Sequence, residues 1–155
     1  MKVAEVTVES CVELVNSLES RVRETAPMVL PLLVSDLPNE GVGFVWAQGI
    51  SHIRNQAQSP TRFSFSPTRL SELIAEQGNI DPQFMYHTHP SGQLNLSTDD
   101  WMALRHNWHE GFHVPWVIYP MKPVKESYDD WKMGKVTGTR VGIYTPEHYK
   151  TFALK

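Results

Sequence analysis

The sequence predicts one α/β (α+β) domain in which a mixed β-sheet is flanked by helices. Apolar residues recur at three- and four-residue intervals in some segments and alternate in others, and the two kinds interleave along the chain. The 155 residues are enough for one real core. No composition shift, repeat or low-complexity tract marks a boundary, so a single domain over residues 1–155 is expected.

The elements follow in order. Val8, Cys11, Val12, Leu14, Val15, Leu18 and Val22 give residues 8–24 the spacing of an amphipathic helix. Residues 26–38 (APMVLPLLVSDLP) are apolar but punctuated by prolines at 27, 31 and 38, and read as a short helix or a buried extended connector. Val42–Trp46 and Ile50–Arg54 flank AQG at 47–49, a hairpin pattern in which Gly49 supplies the turn conformation. Residues 62–65 (RFSF) alternate like a strand. Ser66 and Pro67 then open a helix that runs to about Glu76 and stops at Gly78. Gln83–His89 is strand-like, residues 98–110 are helical with Gly111 as the stop, and Val114–Tyr119 and Lys135–Tyr144 read as strands. Pro146 onward is expected to form a short final helix. Trp46, Trp101, Trp108, Trp116 and Trp131 read as core residues, with Trp101 a candidate wall of a substrate channel.

Composition narrows the function classes. The net charge is −3, with Lys and Arg scattered, which argues against a nucleic-acid backbone as partner because phosphate binding needs a concentrated basic face. Cys11 is the single cysteine, so an intramolecular disulfide is impossible and a reducing compartment fits. The first ten residues lack a signal-peptide core, and the apolar run at 27–34 is too short for a membrane span and holds two prolines. A cytoplasmic protein, or a component of a particle assembled there, is expected, with neither nucleic acid nor membrane as partner.

The chemistry concentrates in HTHPSGQLNLSTDD, residues 87–100. On a strand, residues two apart share a face, so His87 and His89 project together while Thr88 points away. Imidazole is the commonest zinc ligand, and two on a rigid strand give two coordination positions. Pro90 and Gly92 turn the chain, Ser97 opens a helix, and Asp100 on its first turn can point back to the strand end. Two histidines and one aspartate leave a fourth position for water, as in catalytic zinc sites. Ser97-x-x-Asp100 is equally a capping-box signature. Far upstream, Glu40 precedes the first hairpin strand. It is a candidate general base, and as an isolated residue it also reads as a solvated turn glutamate.

The set Pro38-Asn39-Glu40, Gly43, then His87-Thr88-His89-Pro90, a six-residue gap and Ser97-x-x-Asp100 resembles the JAMM (MPN-plus, JAB-domain) zinc metalloprotease family in order and spacing. The resemblance implies a JAB/MPN (cytidine-deaminase-like) fold, Zn2+ held by His87, His89 and Asp100 with water as the fourth ligand, Glu40 as general base and acid, and Ser97 as hydrogen-bond donor to the oxyanion. It favours Asp100 over its neighbour Asp99 as ligand. Two departures stand out: Val42 occupies a position where many prokaryotic members carry cysteine, and residues 26–37 intervene between the first helix and Glu40.

A rival zinc signature, His109-Glu110-Gly111-Phe112-His113, requires both histidines on one helix face. Gly111 falls inside it and Pro115 follows, so the helix is expected to stop between them. The implied reaction is hydrolysis of a peptide or isopeptide bond in a protein or peptide substrate. The short stretch between Glu40 and His87 leaves little room for ubiquitin-embracing insertions, so the chain resembles compact prokaryotic and bacteriophage tail-assembly members, with phage tail proteins as partners. Two alternatives accompany this: a zinc-stabilised assembly or binding module with little catalysis, and a protease releasing a ubiquitin-like sulfur-carrier protein through its Gly-Gly tail. Cys11 lies within a predicted helix and does not support a cysteine peptidase.

Overall fold

The computed structural model describes residues 7–37, 39–57, 59, 61, 63–121 and 140–154. Its elements run α1 (Val8–Asp36), β1 (Val42–Trp46), β2 (Gly49–Ile53), α2 (Pro67–Glu76), β3 (Phe84–His89), α3 (Thr98–His109), β4 (Trp116–Pro120), β5 (Arg140–Tyr144) and β6 (Tyr149–Ala153). The predicted strand start at Lys135, the core role of Trp131, and residues Pro38 and Arg62 lie outside the described residues.

The strands form one mixed sheet in the order β2-β1-β3-β4-β5-β6. Among the described strands only β3 and β4 pair in parallel; the other neighbours are antiparallel. Parallel neighbours need a crossover, and the segment bearing α3 provides it. Alternation along each strand sorts side chains to two cores. On one face Val45, Phe84, Tyr86, Val117, Tyr119 and Ile143 pack beneath α1. On the other, Phe44, Met85, Trp116 and Ile118 pack with Leu73 of α2 and Leu104 and Trp108 of α3. Burying each large apolar side chain contributes about 1.5–3 kcal/mol. The result is an α+β architecture, a six-stranded mixed sheet between helices.

Four local readings are settled or corrected. Residues 26–36 are neither a separate helix nor an extended connector; α1 runs through Pro27 and Pro31 to Asp36. Val22, Ala26, Val29 and Leu33 continue the buried stripe while both prolines lie on the exposed side. Carbonyls deprived of a proline N–H there can bond water, so the loss is tolerated. Gly49 does not make the hairpin turn: it pairs with Trp46 as the first residue of β2, leaving Ala47 and Gln48 as the loop. The 63–65 segment is not a strand. Its alternation is real, since Phe63 and Phe65 both pack on the α2/α3-side core, but among the described residues its backbone bonds the preceding loop and no strand, through Gln56 N to Ser64 O (2.9 Å) and Ser64 N to Asn55 Oδ1 (3.0 Å). The C-terminal segment is a strand rather than a helix. Thr145 and His148 close a tight turn through three hydrogen bonds, and β6 then lies antiparallel to β5 with Phe152 buried. Long-range pairing overrides local preference there. The stops at Gly78 and Gly111 both take positive φ, as helix ends favour.

Both sheet edges are tied to α1. Near its middle, Glu19 pairs with Lys150 of β6 (2.6 Å), and Arg23 donates to the Ala153 carbonyl (2.8 Å) while lying over the Phe152 ring. At its C-terminal end, Asp36 Oδ2 meets His52 Nε2 of β2 (2.6 Å), and His52 Nδ1 meets the Tyr86 hydroxyl (2.8 Å). That hydroxyl lies over Gly43, where a Cβ would run into it. No described helix is long and apolar enough to cross a membrane. Gly43→Ala is expected to lower the unfolding free energy by about 1–3 kcal/mol through overpacking. Gly49→Ala, whose methyl group meets nothing, should change it by less than about 0.5 kcal/mol. Urea unfolding of the two variants tests the contrast.

Candidate metal centre

The site lies at the C-terminal end of β3, where its parallel neighbour β4 also ends, the edge at which open α/β sheets commonly bind ligands. Met85, His87 and His89 share the α2/α3 face of β3. The β1–β3 register pairs Val42 with His87, so two residues further along the same pairing Glu40 comes abreast of His89 on that face. Thr88, pointing the other way, fixes this approach: its Oγ1 accepts from Gly41 N (2.9 Å) and its N–H donates to Gly41 O (3.1 Å). Glu40 is further held by its backbone N–H to Ser59 O (2.8 Å) and by Asn55 Nδ2 to its carbonyl (2.9 Å).

The chain returns through the turn at 90–92 to Ser97, the N-cap of α3. Ser97 Oγ accepts from Asp100 N (3.1 Å), and Ser97 N donates to Asp100 Oδ2 (3.2 Å), a complete capping box. The same Oδ2 lies 3.1 Å from His89 Nε2 and 3.6 Å from His87 Nε2, and the two Nε2 atoms are 3.2 Å apart. Ligand atoms at the corners of a tetrahedron, each about 2.0–2.1 Å from a central ion, stand about 3.3 Å apart. The three measured separations fit one face of such a tetrahedron. Glu40, His87 and His89 also each present a ligand atom within 4.8 Å of one another, and all three are buried. This group can hold a metal ion. The four sequence-predicted groups Glu40, His87, His89 and Asp100 therefore meet, with Ser97 beside them.

Surroundings prepare the donors. His89 Nδ1 bonds the Gln93 carbonyl (2.9 Å), which places the proton on Nδ1 and leaves Nε2 to face the cluster. His87 is fully buried between the rings of Phe63 (4.7 Å between centroids) and Trp116 (5.5 Å), and its Nδ1 has no partner among the described residues. Burial holds His87 below its ordinary pKa against the pull of Asp100. Burial also opposes charge on His89, but bonds to Asp100 and Gln93 outweigh it and raise its pKa. Burial acts on Asp100 in the opposite sense to its neighbours, yet contact with the two imidazoles keeps this carboxyl well below the usual range. Glu40 differs: burial pushes it up to about 8, with His89 lowering and Asp100 raising it. Its carboxyl group has no hydrogen-bond partner among the described residues.

Two clefts meet the cluster. An apolar one of about 550 Å³ is walled by Phe63, Phe65, Met85 and Trp116 and rimmed by Ser97 and Asp100. A polar one of about 300 Å³ includes Glu40, Asn39, Asp36 and Arg54. Trp101 does not line the apolar cleft; it packs edge-on against Tyr144, under Arg105. The imidazoles face Asp100, not Asp99. The rival signature comes apart as its glycine predicts: α3 ends at His109, Gly111 has φ +97°, and His113 stacks on Trp108. Sequence reading missed Thr88, Gln93 and Phe63. A threonine between two ligand-type histidines was a usable signal, whereas a backbone carbonyl and an aromatic cover have none.

The raised Glu40 pKa gives a signed expectation for the metal-free protein. An unfolded chain releases this proton near 4.5 and the folded one near 8, so between those values the folded state binds more protons and stability falls as pH rises. Glu40→Gln removes the penalty. In chelator, the variant should exceed wild type by about 1–3 kcal/mol at pH 8 and match it near pH 4.5, measured by urea unfolding.

No protein-family model matches this chain, and no curated protein matches it.

Proposed function

We propose that this chain is a zinc peptidase of the JAMM (JAB/MPN) type, hydrolysing a peptide or isopeptide bond in a protein substrate. The observation that supports it most is the triangle of His87 Nε2, His89 Nε2 and Asp100 Oδ2 at tetrahedral-face spacing, with the Glu40 carboxyl beside it. On this reading His87, His89 and Asp100 are the zinc ligands, within a JAB/MPN (cytidine-deaminase-like) fold. Bound zinc supplies Lewis acidity, polarising the scissile carbonyl and bringing the acidity of water near neutrality.

The chain's own groups do the rest. Glu40, whose carboxyl lies beside the two imidazoles, takes a proton from the attacking water and passes it to the leaving nitrogen. Ser97 Oγ already accepts from Asp100 N, so its own proton is free to be donated to the carbonyl oxygen. Gln93 O keeps the His89 ring in register. Phe63 and Trp116 shield His87 from water. On the family resemblance, the protein acts in the cytoplasm or on a virion, and its partner is a bacteriophage tail protein or a ubiquitin-like sulfur carrier.

A second reading has its own support: Glu40, His87 and His89 by themselves form a ligand group, which would make Glu40 a ligand in a metal-stabilised module. Zinc content and peptide hydrolysis of Glu40→Gln separate the two. The peptidase reading expects one zinc per chain in the variant and a loss of at least about 100-fold in kcat/KM. Loss of zinc makes Glu40 a ligand, and unchanged turnover overturns its role as base. Ser97→Ala should lose about 10- to 100-fold with zinc retained, and Asp100→Asn should release zinc.

A further inference from the structure

The two clefts differ in chemistry and in which part of the cluster they touch. Ser97 and Asp100 rim the apolar cleft, and Glu40 does not. Glu40 lines the polar cleft, together with Asn39, Asn55 and Arg54. Phe63 joins the apolar cleft to the site, since its ring both forms the cleft wall and rests on His87. We infer that the apolar cleft is the subsite for a large apolar side chain on the residue that contributes the scissile carbonyl.

This rests on the peptidase reading, from which it takes its direction. A leaving nitrogen must come within reach of the group that protonates it, so the amine side of the substrate lies toward Glu40. The acyl side then extends the opposite way, over Ser97 and into the cleft walled by Phe63, Phe65, Met85 and Trp116. A cleft of about 550 Å³ with apolar walls and a few polar groups at its rim has the build of a ligand pocket. A glycine at that substrate position would leave these walls facing water, whereas Phe, Trp, Leu or Met would cover them. The cleft therefore selects against substrates ending the acyl segment in Gly-Gly, and of the two partners proposed above it favours a tail protein over a sulfur carrier. Leaving-group residues meet the polar cleft, whose lining is mostly hydrogen-bonding groups.

The test is digestion of a peptide mixture, randomised at every position, by the zinc-loaded chain, with products sequenced by mass spectrometry. New C-termini are expected to be Phe, Trp, Leu or Met at least about tenfold more often than Gly. Ala103, on α3, lines the same cleft, and Ala103→Trp should retain zinc and abolish the preference. A flat profile, or one dominated by glycine, overturns the inference while leaving the peptidase reading intact. Absence of any cleavage overturns hydrolysis of linear peptide bonds instead, and the cleft is then read by binding alone. N-acetyl-phenylalaninamide should shift the NMR signals of the Met85 and Ala103 methyl groups at concentrations about tenfold below those needed for N-acetyl-glycinamide. Equal binding of the two amides, or binding unchanged in Ala103→Trp, overturns the cleft as an apolar subsite.

Discussion

One oxygen atom, Asp100 Oδ2, closes the N-terminus of α3 and faces both imidazoles of β3. It accepts from the Ser97 backbone N–H at 3.2 Å and stands 3.1 and 3.6 Å from His89 and His87. The helix cap holds its carboxylate through two reciprocal bonds. The donor geometry thus comes from the start of a helix rather than from a flexible loop. The parallel β3–β4 pairing has the same effect at larger scale, because it obliges the chain to cross over and brings the capped end of α3 back to the strand it left.

Around that atom, two carboxyl groups of similar intrinsic acidity are driven apart. Asp100 has imidazoles and a backbone N–H to stabilise its charge and stays ionised. Glu40, more deeply buried, has no hydrogen-bond partner among the described residues and resists ionisation. Such divergence is how a site separates a group that holds charge from one that moves protons. His87 and His89 diverge in parallel, the first isolated among aromatic rings and the second bonded to Asp100 and a backbone carbonyl.

Much of this was legible in the residues. Alternation put His87 and His89 on one face, and the Ser97-to-Asp100 spacing announced the cap. That Glu40 would join them was readable only through family resemblance; the physical cause is the β1–β3 register, a pairing across nearly fifty residues that no local pattern specifies. The failures share a cause. Pro27 and Pro31 each remove an intrahelical hydrogen bond, a loss best tolerated where the freed carbonyl meets water, and periodicity alone left their exposed placement open. Residues 149–153 and 63–65 each followed their surroundings, the first finding a strand partner in β5 and the second finding only a loop. The two clefts arise from packing between elements distant in sequence, and nothing in the spacing of single residues foretells their shapes.

The tethers of α1 have a mechanical consequence. A 29-residue helix is about 43 Å long, against roughly 24 Å for the width of six strands at their usual spacing, so one rod can reach from one outer strand to the other. Glu19 and Arg23 grip β6, while Asp36 grips β2 through His52. Neither outer strand can peel away without dragging on the rod that restrains its counterpart. The sheet is thereby braced against edge-first opening, and its margins share the cooperativity of its centre. The peptide run that carries Glu40 begins where that brace ends.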